Sequence, residues 1–283
     1  MLRWILIAAG VFAVYGLSFL AIDRITDTSA LATQYVQVVK SGKEWEPRIM
    51  KARPAGWVRL GEVPAYTVAA ILLSEDASFW THNGFDLLET WNAFKTNLAK
   101  GKFARGGSTI SQQVVKNVYL SGEKSIERKL RELVLALRME RQVSKRKILE
   151  IYLNVAEFGE GVYGINAAAR HYFQKSHAAL TPKESAFLAV LLPSPKKYSS
   201  SFRKGALTPF MRASVRRVLR KLFLTHRISE SDYLRELRTP LAFEAVPEVE
   251  PLPPPGLDEE IELPDDDEEA ASLLKTSRAS MAL

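Results

Sequence analysis

The longest apolar run in the chain is Trp4 to Ile22, 19 uncharged positions between Arg3 and Asp23. At ~1.5 Å per residue it makes a helix of about 28 Å, close to one hydrocarbon thickness. It reads as an uncleaved anchor over 1–22, because the apolar core is long and no A-x-A pattern follows it closely, the first being Ala30-Leu31-Ala32 beyond three charged residues. Basic residues stand on both sides, Arg3 before and Arg24 and Lys40 after, so charge bias does not orient it. Residues 23–60 have mixed polarity with Gly42, Pro47, Pro54 and Gly56, and read as a connector with short elements.

From residue 61 the spacing turns to the 3.6-residue period. A helix starts at Pro64, with Val68, Ile71, Leu72, Glu75 and Phe79 in one sector. Leu87 to Ala99 is a second, and a third follows the glycine pair before Ser108. Ser125 to about Gln142 carries Ile126, Leu130, Leu133, Val134 and Leu137 on its expected buried face. Ser144 caps Lys145 to Val155, after which Gly159, Gly161 and Gly164 interrupt. Thr181-Pro182-Lys183-Glu184 joins a cap, a proline at the first helical position and a capping-box acid, and that helix runs to Leu192. Val215, Val218, Leu219 and Leu222 define another, and Ser229 begins a last short one before Pro240. Alternating strand patterns are scarce, so the predicted class is all-α, one helical domain over 61–245. Residues 246–283 are proline-rich and acidic, with Asp265-Asp266-Asp267-Glu268-Glu269, a composition that predicts a disordered tail.

The chain has 283 residues and no cysteine, which excludes disulfides, thiolate metal sites and a cysteine nucleophile. Its net charge of +7 is unevenly placed. From Glu250 onward ten acidic residues face Lys275 and Arg278, a balance of −8, and residues 1–249 carry +15. A basic body behind an anchor suits anionic lipid headgroups or phosphorylated substrates; no recognition motif supports nucleic acid. His82, His171, His177 and His226 lack metal-ligand spacing, and nothing resembles G-x-S-x-G.

Glu75 is the first candidate for chemistry. An acid on an apolar face is disfavoured in its charged form, which suits a group that exchanges protons near neutral pH; equally, a basic partner satisfies it and it is structural. The second candidate is Arg105-Gly106-Gly107-Ser108-Thr109-Ile110-Ser111-Gln112-Gln113-Val114-Val115-Lys116-Asn117. Its glycines precede a helix that Ser108 or Thr109 caps, and free amides at a helix start attract anions. Gln112, Gln113 and Lys116 are expected on one face, suited to phosphate and sugar hydroxyls, or else as a solvated polar face. It is not a Walker A loop. In the Ser125 helix, Arg128, Lys129 and Glu132 point away from the apolar stripe, and Ala136 leaves space beside the acid. They make either a surface salt bridge or, with Lys124, a cluster that neutralises a pyrophosphate. Lys147 to Asn154 reads as structural.

Four ordered motifs then carry a resemblance. Glu75-Asp76-x-x-Phe79-x-x-His82-x-Gly84-x-Asp86, Gly106-Gly107-Ser108-Thr109-Ile110-x-Gln112-Gln113-x-x-Lys116-Asn117, Arg128-Lys129-x-x-Glu132 and Ile148-Leu149-x-x-Tyr152-Leu153-Asn154 resemble the signatures of peptidoglycan glycosyltransferases, glycosyltransferase family 51. The resemblance covers roughly residues 60–240. It implies a lysozyme-like helical domain behind a single N-terminal membrane helix, on the outer side of the bacterial cytoplasmic membrane. The implied activity is polymerisation of lipid II into β-1,4-linked glycan with inversion and release of undecaprenyl pyrophosphate. After residue 240 the S-x-x-K spacing occurs once, as Ser272-Leu273-Leu274-Lys275 within the acidic tail, and no K-T-G accompanies it, so the expectation is the monofunctional form.

The same resemblance implies roles. Glu75 is the general base toward the acceptor 4-hydroxyl, and Glu132 is the second carboxylate, which orients a basic residue, holds a cation or tunes Glu75. Asp76, Ser108, Gln112 and Gln113 position substrate; Lys116, Lys124, Arg128 and Lys129 stabilise the leaving diphosphate. Lys124 stands where many members have Arg, which removes bidentate phosphate binding there. Apolar residues between Leu98 and Val118, such as Phe103, are expected to meet the bilayer. No cofactor is required, with room for magnesium or manganese on the pyrophosphate, and no protein-bound metal is expected. Partners are lipid II, the glycan strand, the membrane and cell-wall synthesis proteins such as transpeptidases. A lysozyme-like muramidase and a non-catalytic anchored basic scaffold are the alternatives. The first needs a protonated acid at the glycosidic oxygen and has little use for the basic cluster.

Overall fold

A computed structural model describes residues 26–91, 95, 107–120 and 125–244. The predicted anchor, Phe103, Gly106, Lys124 and the acidic tail lie outside the described residues. Among the described residues no helix is long and apolar enough to cross a membrane. The chain divides into two compact units, Met1–Leu60 with Ser78–Ala156, and Gly61–Ala77 with Glu157–Leu283.

The first unit departs from the all-α expectation. Tyr35–Ser41 and Glu44–Met50 form an antiparallel hairpin with Ser41 opposite Glu44, inside what composition presents as a connector. Gly42 has φ +61 and opens a two-residue loop, the glycine-first turn whose twist matches paired strands. Pro47, which reads as a strand breaker, sits opposite Val38 in a two-stranded ribbon, where its missing N–H costs no ladder bond on an open edge. The hairpin packs on the helices Ile110–Tyr119 and Lys145–Val155.

Those two helices, with Ile126–Gln142, make the core of this unit. Ser144 caps its helix as the sequence predicts, and Ser125, at the predicted start of the other, caps it too; each hydroxyl accepts from the backbone N–H three residues on. Asn154 fastens the segment around Val58: Val58 N donates to Asn154 Oδ1 at 2.8 Å and Asn154 Nδ2 donates to Val58 O at 2.8 Å. Glu150 accepts from Trp57 Nε1 at 3.0 Å and from Leu60 N at 3.1 Å. The Lys147 to Asn154 motif is therefore structural in these bonds, as read from sequence.

The Ile126–Gln142 helix faces the opposite way from its expected stripe. Its buried residues are Glu132, Leu135, Ala136 and Met139, while Ile126, Leu130 and Leu137 are exposed. The reason is that both acids on the inner face, Glu132 and Glu140, find cations and hydroxyls there, so their burial is compensated. The space beside Ala136 is filled by Gly84, whose φ of +94 and place 3.0 Å (measured to an added Cβ) from the Ala136 carbonyl group leave no room for a side chain.

The second unit is built on three mutually packed helices, Ala65–Glu75, Pro182–Leu191 and Pro209–Leu224. Thr181 and Glu184 form the predicted capping box, with Pro182 in the first turn, and every residue from Glu184 to Leu191 is buried. A helix apolar all round belongs in the middle of a core. Thr67 Oγ1 meets Ser185 Oγ at 2.7 Å inside that packing, and Tyr66 OH donates to Leu180 O at 2.6 Å. The glycine-rich stretch after Val155 holds a second strand pair, Glu157–Gly159 with Val162–Tyr163. The helix Ile165–Phe173 follows, and Glu230–Arg238 starts at Ser229 in a capping box with Asp232.

Replacing Asn154 by Ala is expected to leave the N–H and C=O of buried Val58 without these partners and to cost about 2–3 kcal/mol. Urea unfolding of the detergent-solubilised chain measures it; an unchanged midpoint would contradict the assignment.

Candidate active site

The helix Ala65–Glu75 ends at Glu75, four residues short of Phe79, the last position of the sector read from sequence. Its buried residues are Thr67, Ala69, Ala70, Ile71 and Leu72, whereas Val68 and Glu75 are half-buried. Glu75 therefore stands at the margin of the buried face and keeps access to solvent, not in the middle of an apolar stripe. The sequence sector misplaced the face because Thr67 and Ser185 bond each other and carry two polar atoms into the core. Asp76, at the helix end, is the buried acid of the pair, and its N–H donates to Leu72 O at 2.8 Å.

The rest of the first motif belongs to the other unit and braces it. Phe79 is fully buried, with Lys145 Nζ 4.4 Å from its ring centre. His82 Nδ1 accepts from Gly84 N at 3.0 Å. Asp86 takes the Ser78 hydroxyl and the Glu89 N–H, the second at 2.8 Å, and so starts the helical turn at 87–91.

In the second motif Thr109, not Ser108, is the cap of Ile110–Tyr119. Thr109 Oγ1 accepts from Gln112 N and donates to Gly84 O at 2.8 Å, while Thr109 N donates to Gln112 Oε1 at 2.9 Å. Gln112 is consequently buried in a capping box and does not share an open face with Lys116. Gln113 is half-buried and accepts from Tyr152 OH at 3.3 Å; Lys116 is exposed. Ile110, Val114, Val115 and Val118, expected to lean toward a bilayer, are buried core instead. The exposed apolar side chains of this unit include Leu87, Leu88, Trp91, Ile126 and Leu130.

The third motif closes on the second. Lys129 Nζ donates to Ser108 Oγ at 2.7 Å and also to Glu132. Arg128 NH1 lies 3.6 Å from Glu132 Oε2. The Glu132 side chain is 3% exposed and the Lys129 side chain 48% exposed, so a buried carboxylate holds two cations, one of which faces solvent. Such a cluster is pre-arranged for an anion that approaches from outside, next to the cap of Ile110–Tyr119. Among the described residues no group of three or more His, Cys, Asp or Glu is placed to hold a metal ion, and Glu132 has a cation against each oxygen. That donor set does not fit a protein-bound divalent ion.

Sequence reasoning missed the brace behind this cluster. Glu140 accepts from the Ser111 hydroxyl and from Lys145 Nζ, the latter at 2.6 Å, and Lys145 Nζ is 3.4 Å from His82 Nδ1. The available signal was spacing: Glu132, Ala136 and Glu140 follow at four-residue intervals and so share a face with the recognised acid.

A model of the transglycosylase family matches residues 41–222 of the chain. The chain is 49% identical over 144 residues to the biosynthetic peptidoglycan transglycosylase of Nitrosomonas eutropha, a match covering 51% of this chain and 59% of that protein. It is 50% identical over 142 residues to the protein of the same name from Alcanivorax borkumensis, covering 50% and 58%. With that of Nitrosospira multiformis it shares 42% over 166 residues, covering 59% and 70%. The matched stretch thus spans a little under three fifths of the first two relatives. The family match takes in all four motifs, the half-buried acid at the end of its helix and the carboxylate-held cations alike, and the chain belongs to the transglycosylase family.

Proposed function

We propose that this chain is a peptidoglycan glycosyltransferase that polymerises lipid II into β-1,4-linked glycan, with inversion at the donor carbon and release of undecaprenyl pyrophosphate. The observation that carries the reading is the Arg128, Lys129 and Glu132 cluster against Ser108. A glycan hydrolase has no anionic leaving group for it to bind. The names of the related proteins, biosynthetic peptidoglycan transglycosylases, support the same substrate class.

In this reading Glu75 accepts the proton of the acceptor 4-hydroxyl as that oxygen attacks the donor anomeric carbon. Its half-buried place suits the role, since a base must meet both substrate and, after transfer, solvent. The breaking bond leaves its electron pair on the diphosphate, whose charge needs cations more than a proton. Lys129 and Arg128 supply it, with Lys116 exposed on the neighbouring helix and Lys124 assigned from the resemblance. Glu132 orients the two cations; of its three implied roles this is the one its ion pairs support. Ser108, Gln113 and Asp76 position sugar or phosphate groups, and Gln112 acts through the cap alone. A hydroxyl and an amide each bond several partners, which suits Ser108 and Gln113 to this positioning. A segment 1–22 in the bacterial cytoplasmic membrane would keep the enzyme at its lipid substrate on the outer side. The exposed Leu87, Leu88 and Trp91 and the Ile126 and Leu130 face then meet lipid, since both elements touch the Gly107 and Ser108 segment.

Glu75→Gln is expected to lower the rate of lipid II polymerisation about 10²–10⁴-fold with an unchanged circular dichroism spectrum. Full turnover would remove Glu75 as the base, and glycan fragments from finished strands without any polymer would replace synthesis by hydrolysis. Lys129→Met and Glu132→Gln are expected to be non-additive in kcat/KM, the double variant no worse than the poorer single one. Additive losses would mean that Glu132 acts on something other than the cations.

A further inference from the structure

The face of Pro209–Leu224 opposite its buried residues is basic. Met211, Ser214, Val215, Val218, Leu219 and Leu222 point inward; Arg216, Arg217 and Arg220 are exposed, and Arg212 and Lys221 are half-buried beside them. From Ser185 to Ser229 the sequence holds ten Lys and Arg and no Asp or Glu. Close charge balance along a helix is the ordinary solution for a solvated face, through pairs four residues apart. Within residues 185–229 no carboxylate is available for such pairs, and anions must come from other parts of the chain.

The chain holds one elsewhere. Residues 258–269 contain nine carboxylates and no cation. The path to them leaves the described residues at Glu244, six residues after the helix Glu230–Arg238, which packs against Pro209–Leu224. Burial lowers the pKa of Lys183 from its ordinary value, and among the charges acting on it are Glu244 and Glu236 in opposition and Arg216 and Arg212 in support. Lys183 Nζ also donates to Thr239 O at 2.5 Å. One ammonium thus senses both the start of the acidic extension and the start of the arginine row. The 14 residues from Glu244 to Asp258 reach about 43 Å at ~3.1 Å per residue, against a basic helix of about 24 Å.

We propose that the acidic segment 258–269 of this chain docks on the basic face of the Pro209–Leu224 helix and shields it from other anions. Tethering places the segment at an effective concentration in the millimolar range, which no untethered anion of similar charge matches without comparable excess. Each exposed pair contributes at most about 1 kcal/mol, so the docking is the sum of several weak pairs and is reversed by salt. The result is a self-masked surface that yields to a polyanion of higher charge density. The inference does not depend on the catalytic reading, because it involves none of the residues assigned to the reaction.

The absence of cysteine permits a direct test in the full chain, with spin labels on Ala270→Cys and Leu224→Cys in neutral detergent micelles. Leu224 is exposed, so the label leaves the core intact. At low salt the distance distribution is expected to be short and narrow, and to broaden when salt is raised to about 1 M, where the screening length is ~3 Å. It should broaden equally when Asp265, Asp266 and Asp267 become Asn and Glu268 and Glu269 become Gln, and with Arg216→Gln and Arg217→Gln. Unfolding midpoints confirm that each variant is folded. A distribution indifferent to both sets of charges overturns the proposal. So does a broad distribution at low salt together with loss of anionic-phospholipid vesicle binding in the arginine variant, which would give the face to lipid.

Discussion

Two carboxylates on the inner face of one helix, Glu132 and Glu140, impose the rotation of Ile126–Gln142 and with it the arrangement of the cationic site. Burying an ionised acid is tolerable only where opposite charge and hydrogen bonds replace water. Lys129 and Arg128 do this for Glu132, and Lys145 and Ser111 for Glu140. The helix consequently turns its leucines outward, Gly84 settles against Ala136, and Thr109 can reach the Gly84 carbonyl. The same pairs that make burial possible hold the cations with one side toward solvent. Structural satisfaction and readiness for an anion are one interaction here.

In the second unit the organising element is apolar. Pro182–Leu191 is buried on every side, and Ala65–Glu75 lies against it through the Thr67 and Ser185 hydroxyls. A terminus held in this way, with Leu72 closing on the Asp76 N–H, fixes where the chain leaves the helix and so where Glu75 stands. The aromatic cluster of Phe173, Phe187, Phe202 and Phe243 backs that core and ties down residue 243, from which the acidic extension departs.

Local signals were legible where the chemistry is local. Ser125, Ser144, Thr181 and Ser229 each sit where a hydroxyl or capping box starts a helix, and Pro182 adds its fixed φ. The hairpin over 35–50 was not legible, because Pro47 and the mixed polarity of Glu44 to Met50 obscure the alternation that Val36 and Val38 carry in the other strand. Reading Gln112 with Lys116 on one face failed for a different reason. Thr109 recruits the Gln112 amide into the cap, a choice between two hydrogen-bonding uses that spacing does not make.

The sequence by itself determined most of the longer helical segments, though not Ile165–Phe173, together with the caps at Ser144 and Thr181 and the order of the four motifs, since those follow from backbone dihedral preference and the bonds of neighbouring residues. It also determined the separation of charge between a basic body and an acidic extension. Only the tertiary structure decided which side of a helix is inside. An amphipathic count ranks side chains by transfer from water, and that ranking reverses once an acid meets a cation and a hydroxyl from distant parts of the chain. Glu132 buried and Leu130 exposed, four positions after Ile126 on the same helix, are that reversal in this protein.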